Sequence, residues 1–270
     1  MIQPIGILDS GAGGLTVAKE IVKLLPFEDI IYFGDTFNCP YGDKSVEDIR
    51  ALSSRIIKYF IEQNCKLIVV ACNTVTVAGI DYLRSKFDIP LVGVVPVVKT
   101  AANLTKTGVF GVIATKFTIE SDYHKKLIRK FAADKKVISQ PCPGIVELIE
   151  KNSIEKNAVQ IEKLLRKYLT PLFEAPPLES KIDVLALGCT HYAIVRDLIQ
   201  KITGEDIHIL DSGEAVACQV KRVLTNNSRL NGERSPVYKF CCSGPDENFG
   251  EIVKTIFKTE YKNRKADLRL

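Results

Sequence analysis

Short apolar runs alternate along this chain with stretches whose apolar residues recur at helical spacing. Ile5-Gly6-Ile7-Leu8 is strand-like and ends in the turn Asp9-Ser10-Gly11-Ala12-Gly13-Gly14, after which Leu15, Ala18, Ile21, Val22 and Leu25 mark a helix. Asp29 to Phe33 predicts a second strand, followed by a polar loop to Lys44. Ser45 with Asp48 is a helix-cap pattern that opens a helix to about Asn64. Lys66 to Ala71 predicts a strand, the following segment a helix to about Phe87, and Leu91 to Val95 another strand.

The second half of the chain repeats the alternation. A helix near Val97 to Leu104 precedes a strand over Gly108 to Ile113, a Thr-rich turn and a helix. Val137 to Gln140 predicts a short strand, and helical structure runs from Gly144 to Glu150 and on through Ile154 to Tyr168. Pro171, Pro176 and Pro177 mark a loop. A strand over Val184 to Leu187 leads into one helix from Thr190 to about Ile202, then a strand from Asp206 to Leu210 and a helix from Gly213. A polar loop, a strand over Val237 to Cys241 and a helix after Pro245 complete the pattern. Strand-helix alternation of this kind predicts an α/β fold with mainly parallel sheets covered on both faces.

An internal repeat refines the fold. Leu67-Ile68-Val69-Val70-Ala71-Cys72 and Val184-Leu185-Ala186-Leu187-Gly188-Cys189 both present a thiol where an apolar strand gives way to a helix. The strand after each thiol follows at a similar distance, and Gly6-Ile7-Leu8 echoes Gly111-Val112-Ile113. The expected architecture is therefore two pseudo-symmetric α/β lobes, 1–97 with 210–270 and 98–209, with a site in the cleft between them. Each thiol then stands at the carboxyl end of a central strand, the edge where open α/β sheets place ligands.

Composition narrows the function classes. With 46% apolar and 26% charged residues, a chain of 270 residues is an ordinary globular protein. A net charge of +5, scattered apart from the basic tail Lys258 to Arg269, carries no nucleic-acid signature. The longest apolar run, Ile89 to Val98, is too short to span a membrane, and no secretory signal opens the chain, so a cytoplasmic protein is expected. Eight cysteines without a Cys-x-x-Cys pair, in that compartment, are read as free thiols, and no Cys/His set completes a metal site. Gly11-Ala12-Gly13-Gly14 is not a dinucleotide fingerprint, and no phosphate-binding loop of the G-x-x-x-x-G-K-[ST] kind occurs.

A Cys that opens a helix is biased toward the thiolate, a competent base or nucleophile. One such Cys is commonly a buried apolar residue; two at matched positions point to chemistry. Two like groups suit a proton moved off one face of a stereocentre and onto the other. Asn73, Thr74, Thr190 and the backbone N–H groups opening both helices could hold carboxylates, and Asp9-Ser10 could orient an ammonium group or assist a thiol. A Cys–His hydrolase built on Cys189 and His191, and a non-catalytic amino-acid binding module, are the competing readings.

Taken together, Asp9-Ser10-Gly11-Ala12-Gly13-Gly14, Tyr32-Phe33-Gly34-Asp35, Pro40-Tyr41-Gly42, Ala71-Cys72-Asn73-Thr74, Leu187-Gly188-Cys189-Thr190-His191 and Asp211-Ser212-Gly213 resemble the glutamate racemases of the cofactor-independent amino-acid racemase superfamily. The resemblance runs from Gly6 to about Gly244. It implies interconversion of L- and D-glutamate without pyridoxal phosphate or metal, supplying D-glutamate for peptidoglycan, with a homodimer as the assembly. By position it implies Cys72 and Cys189 as the proton-transfer residues, Asp9 assisting Cys72, and His191 and Glu150 assisting Cys189. Asp9, Ser10, Tyr41, Gly42, Asn73, Thr74, Thr190 and His191 would hold the substrate. An aspartate substrate is the neighbouring alternative. Pro96-Val97-Val98, Cys39 and the basic tail depart from the pattern, and His124 and His208 are expected to be structural.

Overall fold

A computed structural model of the chain describes residues 2–94, 97–151, 154–173, 181–244 and 247–258. In order, the elements are β1 (Ile5–Asp9), α1 (Leu15–Leu24), β2 (Ile30–Gly34), a 3-10 turn (Tyr41–Asp43), α2 (Val46–Glu62), β3 (Leu67–Val70), α3 (Asn73–Lys86) and β4 (Leu91–Gly93). They continue with α4 (Val97–Leu104), β5 (Val109–Ala114), α5 (Lys116–Glu120), α6 (Asp122–Phe131), β6 (Lys136–Pro141), α7 (Ile145–Lys151) and α8 (Ile154–Phe173). The remainder is β7 (Val184–Leu187), α9 (Thr190–Ile194), α10 (Arg196–Thr203), β8 (His208–Leu210), α11 (Gly213–Asn226), β9 (Tyr238–Cys242) and α12 (Glu247–Phe257).

The chain forms two compact units, Met1–Val95 with Gly213–Leu270, and Pro96–Ser212. The first contains a five-stranded sheet in the order β4-β3-β1-β2-β9, the second a four-stranded sheet in the order β6-β5-β7-β8. Every pairing in both is parallel. Matching β1 to β5, β2 to β6, β3 to β7 and β4 to β8 makes the two orders the same, with β9 added beside β2. The repeat read from the sequence is thus a repeat of topology.

The central strands are buried on both faces, which is why they read as continuous apolar runs rather than alternating ones. In the first unit Leu67-Ile68-Val69-Val70 has no exposed member. A side chain at Gly6 would come within 2.7 Å of the Phe60 ring, so this glycine lets α2 approach the sheet closely. In the second unit Val97, Val98 and Ala101 of α4 pack over Phe110, Val112, Val184 and Ala186. Among the described residues no helix is long and apolar enough to cross a membrane.

Several boundaries differ from the sequence pattern. The single helix expected from Thr190 to Ile202 is two, α9 and α10, broken at Val195 with φ −105° and ψ 24°. There the N–H of Val195 reaches the carbonyl of Tyr192 at 3.2 Å, a tightened turn that redirects the chain. Pro171 lies inside α8 (Ile154–Phe173) rather than in a loop, and its ring removes one N–H donor there. The segment after β5 is also two helices, sharing Ser121 as cap. β8 starts at His208 and β9 ends at Cys242. Val95, Pro96, Pro176, Pro177, Pro245 and the tail from 259 lie outside the described residues.

His124 is structural, its Nε2 paired with Ser139 Oγ at 2.9 Å. Burial lowers its pKa, so the folded unit favours the neutral ring. Its contribution to stability is present above the unfolded imidazole value, and is lost as pH falls from there toward the lower folded value. The melting temperature should fall on acidification from about pH 7 to about pH 5, and less so in His124→Gln. Equal falls in the two proteins would contradict this.

Candidate active site

In the first unit, Leu8 pairs with Val70, and the Ala71 N–H donates to the Leu8 carbonyl at 2.8 Å. That register brings Asp9 and Cys72 to neighbouring strand ends at the carboxyl edge of the sheet. Cys72 is the N-cap of α3, with φ −72° and ψ 123°, and is 5% exposed. Asn73 and Thr74 form the first turn behind it. Ser10 Oγ lies 3.4 Å from Cys72 Sγ, within hydrogen-bonding reach of sulfur.

Asp9 is fully buried, and its Oδ2 accepts the Gly14 N–H at 2.6 Å. A side chain at Gly14 would meet Asp9 Cβ at 2.8 Å and Ala71 Cβ at 2.9 Å. Only glycine lets the turn fold so closely over the strand ends. Tyr32 supports the same turn, donating to the Gly11 carbonyl at 2.7 Å.

The loop that carries Tyr41 and Gly42 is anchored by Asp35. Its Oδ2 accepts the Tyr41 hydroxyl at 2.5 Å, and its Oδ1 the Ser243 hydroxyl at 2.6 Å. Asn38 Nδ2 reaches both oxygens at 3.1 Å. Burial holds the Tyr41 phenol well above its ordinary pKa, with the charges of Asp35, Cys72 and Cys39 adding to the effect. The Tyr41 hydroxyl hydrogen is therefore committed to Asp35, and what this turn offers a ligand is its backbone.

The second unit has the corresponding edge. The Gly188 N–H donates to the Ile113 carbonyl at 2.7 Å, and Cys189 follows as the N-cap of α9, 7% exposed. Thr190 and His191 open α9, and both are buried. His191 Nδ1 lies 3.8 Å from Cys189 Sγ, and its Nε2 lies 2.5 Å from Glu150 Oε1. A carboxylate can only accept, so Nε2 carries the hydrogen there. In the neutral ring Nδ1 is then the bare nitrogen, turned toward the thiol and able to take its proton.

Equivalent strands carry different helpers. The Asp35 N–H bonds to the Asp9 carbonyl, and the Cys142 N–H to the Ala114 carbonyl, each at 3.0 Å. Asp9 thus corresponds to Ala114, and the second thiol has a His–Glu pair where the first has an aspartate. Cys142, one residue past β6, is fully enclosed, and burial chiefly, with Cys189 beside it, pushes its thiol up to about 12. Cys65, at the opposite edge of the first sheet, is likewise pushed to about 12 by burial.

Asp9, Ser10, Tyr41, Gly42, Cys72, Asn73 and Thr74 thus gather at the carboxyl edge of the first sheet. Cys189, Thr190 and His191 do so in the second, joined there by Glu150 from α7. Asp35, Cys142 and Tyr192 tie these elements together; Asp35 closes the quoted segment Tyr32-Phe33-Gly34-Asp35, yet the pattern of residues gave none of the three a role. The available signal was positional, because Asp35 and Cys142 each stand one residue beyond the strand that pairs with β1 or β5.

Residues 5–220 match the Asp/Glu/hydantoin racemase family. The chain belongs to that family of racemases. Its similarity lies with the glutamate racemases within it: the enzyme of Herpetosiphon aurantiacus is 44% identical over 251 residues, covering 93% of this chain and 96% of that protein. The crystal structure of glutamate racemase isoform RacE1 from Bacillus anthracis is similar with a TM-score of 0.88 at 34% identity, over 99% of this chain and 98% of that one. Glutamate racemase from Francisella tularensis, in complex with D-glutamate, gives 0.81 at 33% identity, over 96% and 95% of the two chains.

Proposed function

We propose that the protein interconverts L- and D-glutamate by two-base proton transfer at Cα, with Cys72 serving one face and Cys189 the other. The observation that carries this reading is the equivalence of the two thiols: each is a buried helix N-cap following the third strand of a like-ordered sheet. The D-glutamate bound by the Francisella tularensis relative supports the choice of substrate.

In one direction the Cys72 thiolate removes the Cα proton and the Cys189 thiol delivers its own to the other face; the reverse reaction exchanges the roles. An ordinary thiol titrates near about 8.5, so the acting base needs help to ionise. Each thiol caps a helix, α3 or α9. Asp9 assists on the Cys72 side, and on the Cys189 side the bare Nδ1 of His191, backed by Glu150, takes the thiol proton. Negative charge developing on the substrate carboxylate is met by preorganised donors: the N–H groups opening α3 and α9, the side chains of Ser10, Asn73, Thr74 and Thr190, and the Tyr41-Gly42 backbone. Neither pyridoxal phosphate nor a metal takes part in this scheme.

Cys189, His191 and Glu150 also have the order nucleophile, base, orienting group, which favours a hydrolase as the second reading. That reading assigns no role to Cys72. Circular dichroism of L- or D-glutamate incubated with the protein and no added cofactor decides between them. Racemisation should carry both enantiomers to the same optically inactive end point, with aspartate turning over more slowly. An unchanged signal, or an acyl-enzyme accumulating on Cys189, would overturn the proposal.

The product fits D-glutamate supply for peptidoglycan. The cytoplasm, where thiols stay reduced, is the setting such a site requires. A homodimer is the assembly the resemblance favours, and light scattering on the eluting protein would establish it.

A further inference from the structure

We propose that Tyr192 is a positioning residue for the Cys189 half of the reaction, clamping the turn that aims Glu150 at His191. This rests on the two-thiol reading above and adds to it a residue that touches neither thiol proton nor substrate.

The turn in question is Cys142-Pro143-Gly144, which links β6 to α7. Its geometry sets where α7, and hence Glu150, stands. Gly144 has a φ of +85°, a conformation that side-chain-bearing residues rarely adopt, so the chain reverses sharply there. Two tyrosine hydroxyls hold the turn from either side. Tyr192, on α9, donates to the Cys142 carbonyl at 2.8 Å, and Tyr168, on α8, donates to the Pro143 carbonyl at 3.1 Å. The Cys142 N–H is tied in turn to Ala114 at the end of β5. Asn157 Nδ2 donates to the Leu148 carbonyl at 2.6 Å, fixing α7 once more along its length.

Tyr192 follows His191 directly in α9, and α7 packs against α9. The clamp therefore joins the helix that carries the imidazole to the turn that launches the helix carrying its carboxylate partner. A bond as short as the 2.5 Å between Nε2 and Oε1 depends on that registration.

The hydroxyl is suited to a fixed role. Tyr192 is completely buried, and burial first, then the charges of Cys189, Cys142 and Glu147, hold its phenol well above the ordinary range. A thiolate forming at Cys189 reinforces the protonated phenol. The clamp therefore persists through the catalytic cycle and takes no proton itself.

Tyr192→Phe keeps the ring and removes the bond. Turnover should fall about 10-fold, the order expected when an acid–base group is loosened rather than lost. The two enantiomers are equal in energy, so kcat/KM must fall equally in both directions; the diagnostic lies in isotope effects. With glutamate deuterated at Cα, the effect on kcat/KM should rise for the enantiomer whose proton goes to Cys189, and fall for the other. Glu150→Gln should give the same asymmetry, and the double variant should be no slower than Glu150→Gln alone. Tyr168→Phe, which touches the same turn from α8, should shift the isotope effects the same way but less, and it serves if Tyr192→Phe does not fold.

Isotope effects unmoved by the tyrosine variants, or losses that multiply in the double variant, would overturn the clamp. The reading beneath it fails separately, if Cys189→Ser racemises glutamate at the unaltered rate.

Discussion

Cys72→Ser and Cys189→Ser should each lose about 10³-fold or more of glutamate racemisation, in both directions. Each conversion uses both groups, one to remove the proton and one to deliver its own, so the loss of either stops both. Serine preserves the shape at each buried cap, and at Cys72 it also keeps a partner for the Ser10 hydroxyl. Its hydroxyl is not ionised near neutral pH, however, and cannot serve as the base. The helpers do not rescue either variant. Each helper serves its own thiol rather than Cα: the Nδ1 of His191 lies 3.8 Å from Cys189 Sγ, and Asp9, whose Oδ2 accepts the Gly14 N–H, stands at the strand end beside Cys72. Circular dichroism measures the loss, and retention of more than about one tenth of the activity by either variant would contradict the assignment.

The second large effect is on stability. Lys66, just before β3, is 3% exposed, and its Nζ lies 2.6 Å from Glu28, itself 2% exposed. The same ammonium donates to the Arg229 carbonyl at 2.6 Å and to Asn231 Oδ1 at 3.2 Å. Glu28 Oε1 accepts the Asn231 N–H at 2.8 Å. The pair thus ties the segment after α11 to the amino-terminal edge of the first sheet. Lys66→Met leaves the Glu28 carboxylate buried without its cation, a loss of about 3–5 kcal/mol. For a chain of this size that lowers the melting temperature by about 10 °C or more. Replacing Glu28 by Leu in the same chain should restore much of it, since an apolar pair leaves no charge behind. Cys72 stands at the other edge of this sheet and Cys189 at the edge of the other sheet, so turnover well below the melting temperature should not change. A calorimetric shift under about 2 °C would contradict the buried-pair account.

The parts of the fold legible in the sequence are those decided locally. A parallel strand buried on both faces must be apolar throughout, so Leu67 to Val70 and Val184 to Leu187 announce themselves, as does the thiol that ends each. Ser45 before Asp48 reads as a cap because a side-chain oxygen three residues ahead of an N–H is a local geometry, and Ser45 does accept the Asp48 N–H at 3.1 Å.

What was not legible depends on partners distant in sequence. The break at Val195 separates residues whose apolar periodicity is continuous, and it is made by a tightened turn that no propensity announces. The place of β9 beside β2 joins Ile30 to Tyr238, and nothing in either run specifies the other. Tyr41 reads from its motif as a substrate residue, yet its hydroxyl is held by Asp35, which is held in turn by Ser243. Glu150 reads by pattern as a solvated helix carboxylate; only the fold brings it to His191, 41 positions away. Resemblance to a family could nominate Glu150 but could not supply that distance.

Deuterium incorporation at Cα, when each single Ser variant is incubated in heavy water with L- or D-glutamate, tests the assignment of one thiol to each face most directly. A variant that keeps one thiol can still take the proton from one face and return a deuteron to the same face. Cys72→Ser should therefore exchange Cα of only one enantiomer, and Cys189→Ser only that of the other, with neither racemising. Exchange of the same enantiomer by both variants, or of both enantiomers by either, would contradict the assignment of one thiol to each face.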